Sequence, residues 1–377
     1  MARKRVDKNI AFDDERKLFY VTLSFGKGPD GKYKKSTVTA HTKSEAKAIL
    51  KEHQKKKAAG TATPPIKDTL ADVTKAYIDY KSLSLAVSTI YGYRNIWKNH
   101  IAPYFGKKKI QDVTAKDIQD YASVTARSGL SPNTVKKHID LLSAVFQNAY
   151  MNRMVTENPI ERMERFKTKK VAKKCMNSSE LRVLFETLSG SNLRIPVMLA
   201  ACLGLRRGEV LGLKWEHIDF EHRVLSVENT RTKVGDQIVE KQPKTEKSIR
   251  QLALSDELVS ALYEHKKEQA KRRECSHAYL VTDYVVTMEN GKPFSPNYLS
   301  DSFQCHLKKY GFRQVRFHDL RHSFASIANE AGASMYEISS AMGHSNIGVT
   351  SSIYTHEFSQ TKAKAVNAVA DSIRSAV

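Results

Sequence analysis

The chain has 377 residues, enough for two or three domains that each bury a core. Its 62 lysines and arginines outnumber 40 aspartates and glutamates, which gives a formal charge of +22, and a hydrophobic share of 41% argues against disorder throughout. This excess of positive charge favours a polyanionic partner, with nucleic acid first, over a surface that is merely soluble and lysine-rich.

Cysteine spacing and hydropathy exclude several other classes of protein. The cysteines lie far apart in sequence, so neither a disulfide framework nor a zinc ribbon is expected. The basic N-terminus is followed by no apolar stretch, and no window approaches the roughly 18 apolar residues of a membrane-spanning helix. We therefore expect a reduced, cytoplasmic protein without a membrane partner.

Residues 1–60 concentrate the charge, with 16 lysines and arginines against 7 acidic residues. Two β-rich runs, 18–25 and 34–40, flank a turn sequence and predict a hairpin, with a third strand near residues 9–12. A helix is predicted over residues 42–57. Together these elements predict a small sheet with one helix and a basic face; a solvated basic tail is the alternative.

A linker and a helical segment follow. Residues 58–65 are rich in Ala, Thr, Gly and Pro, which suits neither periodic structure. Over residues 69–165 the apolar positions repeat with helical spacing and predict about four helices, one of them beginning at the capping-box sequence Thr114–Asp117. A basic connector, residues 164–174, leads to a further helix start at Asn177.

Two clusters in the C-terminal part of the chain contain a basic residue at an unusual position in the sequence pattern. Arg206 lies in the sequence GLRRGE between two apolar helical runs, where its burial is costly unless an anion or a carboxylate such as Glu209 satisfies it. The polar stretch around Lys244 separates β-like runs at residues 223–227 and 249–254, which places Lys244 at or near a hairpin turn. A lysine there can bind phosphate or donate a proton, although most such lysines are ordinary surface residues.

A third cluster is the sequence FHDLRHSF at residues 317–324. His318 and Arg321, three residues apart on a helix, share a face beside the apolar stripe and can converge on one ligand. A zinc site formed by His318 and His322 is the rival interpretation. However, zincins need a glutamate where this chain has Asp319, and Arg321 would repel a dication, so no metal is expected.

The fourth cluster, residues 342–356, reads MGHSNIGVTSSIYTH. Gly343 is expected to end a helix, His344 follows in the turn, and Tyr354 comes ten residues later. Taken alone, a tyrosine near a helix end usually serves amphipathic packing.

Together the four clusters supply cations and donors for one phosphate, and a hydroxyl, from Arg206, Lys244, His318, Arg321, His344 and Tyr354. This ordered set resembles the catalytic domain of tyrosine recombinases, the phage integrase family. The resemblance is strong over residues 175–360. Residues 69–165 look like the family's core-binding domain, and residues 1–60 look like the arm-binding domain of phage and conjugative-transposon integrases.

The resemblance implies a multidomain, mainly α fold. A small β-sheet with one helix, for arm-type DNA, and a linker would occupy residues 1–63. A helical, SAM-like core-binding domain would occupy residues 64–170, and an α-rich catalytic domain with a small hairpin or sheet and a helical tail would occupy residues 171–377.

The resemblance also implies a reaction that needs neither ATP nor a cofactor. Tyr354 would attack a DNA phosphodiester, form a 3′-phosphotyrosyl link and release a 5′-hydroxyl. Arg206 and Arg321 would bind the non-bridging oxygens, with a hydrogen bond from His344. His318 would act as the base and Lys244 as the acid. Arg207 is expected to point away from the phosphate.

The implied partners are double-stranded DNA at core and arm attachment sites, further copies of the chain in a tetramer, an excisionase and a host DNA-bending protein, at the bacterial nucleoid. The C-terminal segment, residues 357–377, would pack as a helix in cis or on a neighbouring protomer. The alternatives are a dimer-resolving or inverting recombinase, a non-catalytic DNA-binding regulator on the same scaffold, and a type IB topoisomerase.

Overall fold

The computed structural model describes residues 3–27, 32–59, 62–163, 175–241 and 249–343. The chain divides into two compact units, residues 1–170 and residues 171–377. The first contains a small sheet and a set of helices, and the second is mainly helical with small sheets. The predicted fold class, mainly α with an N-terminal β-sheet, is therefore confirmed.

The N-terminal sheet is antiparallel, with its strands in sequential order. Its strands and the helix that follows are β1 (Lys4–Asp7), β2 (Ile10–Asp13), β3 (Leu18–Lys27), β4 (Tyr33–Ala40) and α1 (Lys43–Ala58). Strand β1 extends the predicted sheet. Val21 and Leu23 alternate onto one face of β3 and are buried with Ala46 of α1, which explains why the helix packs on this face. Thr42 begins the helix by accepting a hydrogen bond from the Glu45 N–H.

Residues 62–163 contain five α-helices, where the periodicity predicts about four. They are α2 (Leu70–Lys81), α3 (Val87–Ile96), α4 (Ala102–Phe105), α5 (Ala115–Arg127) and α6 (Pro132–Met151). A π-helical turn, Trp97–Ile101, divides α3 from the short α4, so one continuous apolar pattern contains two helices. The predicted capping box at Thr114 and Asp117 is present. The predicted connector, residues 164–174, lies outside the described residues.

The end of the predicted linker packs on these helices. The Gln111 side chain donates to the carbonyl oxygens of Pro64 and Met154, at 2.9 and 2.8 Å, and accepts from the Ile66 N–H at 3.3 Å. Residues 62–68 thus have no regular secondary structure but are held by side-chain hydrogen bonds.

The second unit contains seven α-helices within its described residues. They are α7 (Ser178–Thr187), α8 (Arg194–Cys202), α9 (Arg207–Gly212), α10 (Asp256–Cys275), α11 (Pro296–Lys309), α12 (Asp319–Glu330) and α13 (Met335–Met342). Helix α8 is apolar on nearly all sides and forms the centre of the core, with α12 and α10 packed on it. Asn177 and Glu180 form the predicted capping box of α7.

The strands of this unit are β5 (Ile218–Asp219), β6 (Val224–Val227), β7 (Thr230–Val234), β8 (Gln237–Lys241) and β9 (Arg250–Ala253). The two predicted β-like runs pair with each other as β6 and β9. Between them lies a separate hairpin, β7–β8, which turns at Gly235 with φ +61°. This hairpin turns at Gly235, whereas Lys244, predicted to lie at or near a hairpin turn, is outside the described residues.

Hydropathy gives no indication of a membrane-embedded helix: in the part of the chain that the structure describes, no helix combines the length and apolarity needed to cross a bilayer.

Candidate active site

Three of the six predicted site residues, Arg206, His318 and Arg321, are described by the structure. The other three, Lys244, His344 and Tyr354, lie outside the described residues. The described part of the candidate site is formed by α9, β9, α12 and the C-terminal end of α13.

Arg206 lies at the junction between α8 and α9 rather than within a helix. Helix α8 ends at Cys202, and Arg206 has an extended backbone, with φ −71° and ψ 151°, as the residue preceding α9. Gly204 makes this junction possible because its φ of +64° lies in the left-handed region and because an added Cβ would lie 2.6 Å from the Phe324 ring. The junction thus presents the Arg206 side chain at a helix N-terminus, with 36% of it exposed.

The buried carboxylate of Glu209 fixes the direction of Arg206. The Arg206 N–H and Nη1 donate to its two oxygens at 2.8 and 2.7 Å. Arg250 of β9 donates to the same two oxygens, through Nη2 at 2.9 Å and Nη1 at 3.3 Å. Burial by itself raises the pKa of Glu209. The hydrogen bonds and charges of Arg250 and Arg206 lower this pKa by more than burial raises it, so the net pKa lies below its ordinary value.

Arg321 is the largest fully buried side chain among the described residues, at 1% exposure. Its guanidinium donates to the carbonyl oxygen of Gly204 and, at 2.6 Å, to that of Met342. Burial of a guanidinium requires such partners, because its charge cannot be removed by deprotonation. Arg321 therefore joins the α8–α9 junction to the end of α13.

Three successive carbonyl groups at the C-terminal end of α13 each accept from a different arginine. The Ala341 carbonyl oxygen accepts from Arg250 Nε at 2.6 Å, and that of Met342 accepts from Arg321. The Gly343 carbonyl oxygen accepts from Arg206 Nη2 at 3.0 Å. A helix C-terminus carries partial negative charge and unsatisfied carbonyl groups, so it attracts cations. The predicted end of this helix at Gly343 is present, with φ +62°. The arginines thereby gather at the residue that precedes His344 in the chain.

His318 and Arg321 begin the same helix but have different surroundings. His318 is exposed as the N-cap residue of α12, whereas Arg321 is buried one turn further on. The rings of His318 and His322 are nearly perpendicular, with centroids 5.2 Å apart. Phe317 and Leu320 are buried, as the predicted apolar stripe requires.

A cavity of about 580 Å³ opens beside this cluster, and its lining includes Arg206 and His318. Three further arginines line it: Arg207, Arg231 and Arg316. It is therefore strongly cationic and of a size that admits a phosphate with part of a nucleotide.

The flanking arginines of the cavity are held by protein groups. Arg207 Nη1 donates to Ser300 Oγ at 2.7 Å and to the Pro296 carbonyl oxygen at 3.2 Å. It thus borders the same cavity as Arg206, although the sequence predicts that it points away. Arg316 holds Asp319 through Nη2 at 2.7 Å and Nε at 3.0 Å. Burial raises the pKa of Asp319, but the Arg316 hydrogen bonds outweigh this effect and leave the pKa below its ordinary value.

Sequence reasoning did not single out Arg250 or Arg231. One signal for Arg250 was available: β9 alternates, and its buried face contains Leu252, so Arg250 occupies the buried face of a strand. A charged residue at such a position needs a buried partner, which is Glu209. Arg231 gives no comparable signal, because its strand β7 is half-buried along most of its length.

Comparison with known proteins places this chain in a family. The phage integrase family matches residues 165–361, just over half of the chain, and the family's N-terminal SAM-like domain matches residues 69–123. A XerC-like tyrosine recombinase of Caldanaerobacter subterraneus subsp. tengcongensis is 28% identical over 94% of this chain and 96% of its own length. The ICEBs1 integrase of Bacillus subtilis is 26% identical over 69% of this chain and 72% of its own length.

Solved structures show the same fold at lower sequence identity. The Tn1549 transposon integrase in complex with transposon right end DNA has a TM-score of 0.69 at 20% identity, covering 80% of this chain and 100% of that one. A lambda integrase dimer bound to a COC′ core site has a TM-score of 0.59 at 17% identity, covering 94% and 96%. With the family match extending over more than half of its residues, the chain belongs to the phage integrase family, the tyrosine-type site-specific DNA recombinases.

Proposed function

We propose that this recombinase integrates and excises a mobile element through a 3′-phosphotyrosyl DNA intermediate formed by Tyr354. The observation that carries the proposal is the gathering of Arg206 and Arg321 at the α13 end, directly before His344 in the chain, with His318 lining the same cavity as Arg206. Side chains of this kind match the requirements of a phosphate that undergoes in-line displacement.

Arg206 and Arg321 neutralise the charge that develops on the two non-bridging oxygens. Their guanidinium groups stay charged at every relevant pH and present forked donors to a phosphate. Among the described residues, Arg206 makes one protein bond through each of Nη1 and Nη2, while the group carries five N–H donors. The exposed edge of Arg206 faces the cavity, and Glu209 holds it there before DNA binds.

His318 and Lys244 move the protons of the cleavage step. The phenol of Tyr354 loses its proton to His318 as its oxygen attacks phosphorus, because a free tyrosine has a pKa of about 10 and is a weak nucleophile when protonated. The bond from phosphorus to the 5′-oxygen breaks, and Lys244 gives that oxygen a proton. His344 donates a hydrogen bond to the phosphate. The phosphotyrosine keeps the bond energy, so a 5′-hydroxyl from another duplex can reverse the step without ATP.

A nicked suicide substrate tests this chemistry, because loss of a short cleaved fragment traps the covalent complex. Wild-type protein is expected to become covalently linked to the labelled 3′ end, and Tyr354→Phe is expected to abolish the link. Tyr336→Phe is the matched control, since Tyr336 is 71% exposed on α13 of the same unit. A wild-type protein that forms no covalent complex would favour a non-catalytic DNA-binding regulator.

We propose that the N-terminal sheet binds arm-type DNA and that the α2–α6 helices bind the core site. The sheet's charge and the relatives named as integrases support this assignment. Tetramer assembly, an excisionase and a host DNA-bending protein belong to the same proposal; a lambda integrase tetramer bound to a Holliday junction has a TM-score of 0.57 to this chain.

Footprinting of the full chain on the ends of the element tests the assignment. Two classes of protected site are expected, and a Lys34→Glu, Lys35→Glu variant should lose only the outer class, because both lysines are exposed on β4. Protection of core sites alone would instead support a dimer-resolving or inverting recombinase. Relaxation of supercoils without strand exchange would indicate a topoisomerase.

A further inference from the structure

Arg250 is the point where three parts of the active site meet. It begins β9, six residues after Lys244 in the chain, and only 7% of its side chain is exposed. Its Nη1 and Nη2 hold Glu209, and its Nε holds the Ala341 carbonyl oxygen. One planar group thus joins the strand after the Lys244 segment to the carboxylate of α9 and to the end of α13.

The Glu209 carboxylate is held equally by the two arginines. Each of its oxygens accepts one hydrogen bond from Arg206 and one from Arg250. Without Arg250, the carboxylate would keep a single arginine partner and could rotate about its side-chain bonds. The direction of the Arg206 guanidinium therefore depends on a residue on another element.

Close packing adds a second constraint on the end of α13. A Cβ added to Gly343 would lie 2.9 Å from Arg250 Nη1, so the guanidinium occupies the space beside the last residue before His344. The backbone here can approach Arg250 because residue 343 is glycine. Arg250 consequently sets the position at which the chain leaves α13.

We infer that Arg250 is a positioning residue for strand cleavage: it orients Arg206 through Glu209 and holds the end of α13, without contacting the scissile phosphate itself. The inference rests on the proposed phosphotyrosyl chemistry. Nε, Nη1 and Nη2 of Arg250 all donate to protein acceptors, namely the Ala341 carbonyl oxygen and the Glu209 carboxylate, so its guanidinium is committed to holding these two groups. A purely structural ion pair is the competing interpretation.

The two interpretations differ in how they respond to the charge of the substrate. If Arg250 acts through Arg206, its loss weakens the neutralisation of the phosphate. That loss should matter less when a methylphosphonate replaces the scissile phosphate, because one non-bridging oxygen and its charge are then absent. A structural role would slow cleavage of both substrates equally.

The test measures single-turnover cleavage of nicked substrates by the full chain and by its Arg250→Lys and Arg250→Met variants. Lysine keeps the charge that compensates Glu209 but loses the fork, so it carries the test if the methionine variant does not fold. Arg313→Lys and Arg313→Met are matched controls. Arg313 also holds a glutamate, Glu180, at 2.8 and 2.9 Å, but 42% of its side chain is exposed and it does not line the cavity.

On the phosphodiester, Arg250→Lys is expected to lower the cleavage rate on the order of 10²-fold, as misdirection of a catalytic group by about 1 Å does. On the methylphosphonate, the same variant should remain within about tenfold of wild type, and Arg206→Lys should show the same contrast. The Arg313 variants should match wild type on both substrates. Circular dichroism confirms that each variant is folded.

Two results would overturn the inference. Equal defects on both substrates would show a structural role. Restoration of cleavage by a 5′-bridging sulfur, which leaves without a proton, would show that Arg250 serves Lys244 and not Arg206. Failure of the proposed function is separate, because in that case wild-type protein would form no covalent complex with the phosphodiester.

Discussion

Replacement of Glu209 by glutamine tests whether one carboxylate holds the arginine cluster together. The Glu209 side chain is 2% exposed and accepts from both Arg206 and Arg250. Glutamine keeps the shape but removes the negative charge and one acceptor, which leaves buried guanidinium charge without compensation. Breaking a buried ion pair in this way costs about 3 kcal/mol at the lower end of the usual range. In a unit of this size, the melting temperature should fall by roughly 6–12 °C.

Glu180→Gln is the matched control for this prediction. Like Glu209, Glu180 lies three residues after a helix N-cap, accepts the N-cap N–H and pairs with an arginine, but its side chain is 32% exposed. An exposed pair contributes up to about 1 kcal/mol, so this variant should lose little stability. Thermal and denaturant unfolding of both variants would be compared with wild type. Equal losses for the two variants would refute the reasoning, because burial would then not decide the effect.

The pH dependence of the Glu209→Gln effect gives a second check. The pKa of Glu209 lies below its ordinary value of 4.5 in the folded protein, so the folded state binds fewer protons than the unfolded state in that range. The stability that Glu209 contributes is therefore fully present above pH 4.5 and is lost as the pH falls through the folded-state pKa. The difference between variant and wild type should be largest at neutral pH and should shrink in acid. A difference independent of pH would contradict this account.

Two further predictions concern the frame around the site and the helical part of the first unit. Gly204→Ala should destabilise the protein by about 1–3 kcal/mol in denaturant unfolding because residue 204 has a positive φ, and the clash with the Phe324 ring should add to this loss. Gly311→Ala is the control, since Gly311 also has a positive φ but has open space around it, so its loss should lack the steric part. Burial, with the charge of His100 nearby, lowers the pKa of His138 to about 4, so stability should fall as the pH drops from about 6.5 to 4. His138→Gln should weaken that dependence, and a His138 that titrates near 6.5 by NMR would contradict it.

Local signals in the sequence predicted helix starts better than short polar strands. Capping residues such as Thr42, Thr114 and Asn177 mark helix starts because the N-cap side chain and the helix N–H groups lie within a few residues of each other. The β7–β8 hairpin was missed because its strands are short and polar, with a half-buried pattern that gives little alternation. The hydrophobic pattern across Trp97–Ile101 likewise gave no sign of a π-helical turn.

The sequence predicts the candidate site as a set of residues, of which the structure describes Arg206, His318 and Arg321, but it does not predict their geometry. Arg206 and Glu209 lie three residues apart, so their pairing was within reach of the sequence. The contacts of Glu209 with Arg250 and of Arg206 with Gly343 span 41 and 137 residues, and only the packing of the whole unit creates them. The helical spacing of His318 and Arg321 predicted a shared face. It did not show that His318 is exposed at the N-cap while Arg321 is buried beneath it.

The overall charge of the chain suggests only a polyanionic partner, whereas the structure gathers three arginines at the C-terminal end of one helix. Among the described residues of the cluster, three guanidinium groups share one carboxylate and one helix C-terminus, which carries about half a negative charge. We propose that the phosphate diester of bound DNA adds negative charge to this cluster. Because a ligand that binds only the folded state stabilises it, DNA bound at this cluster would also raise the stability of the unit that contains it.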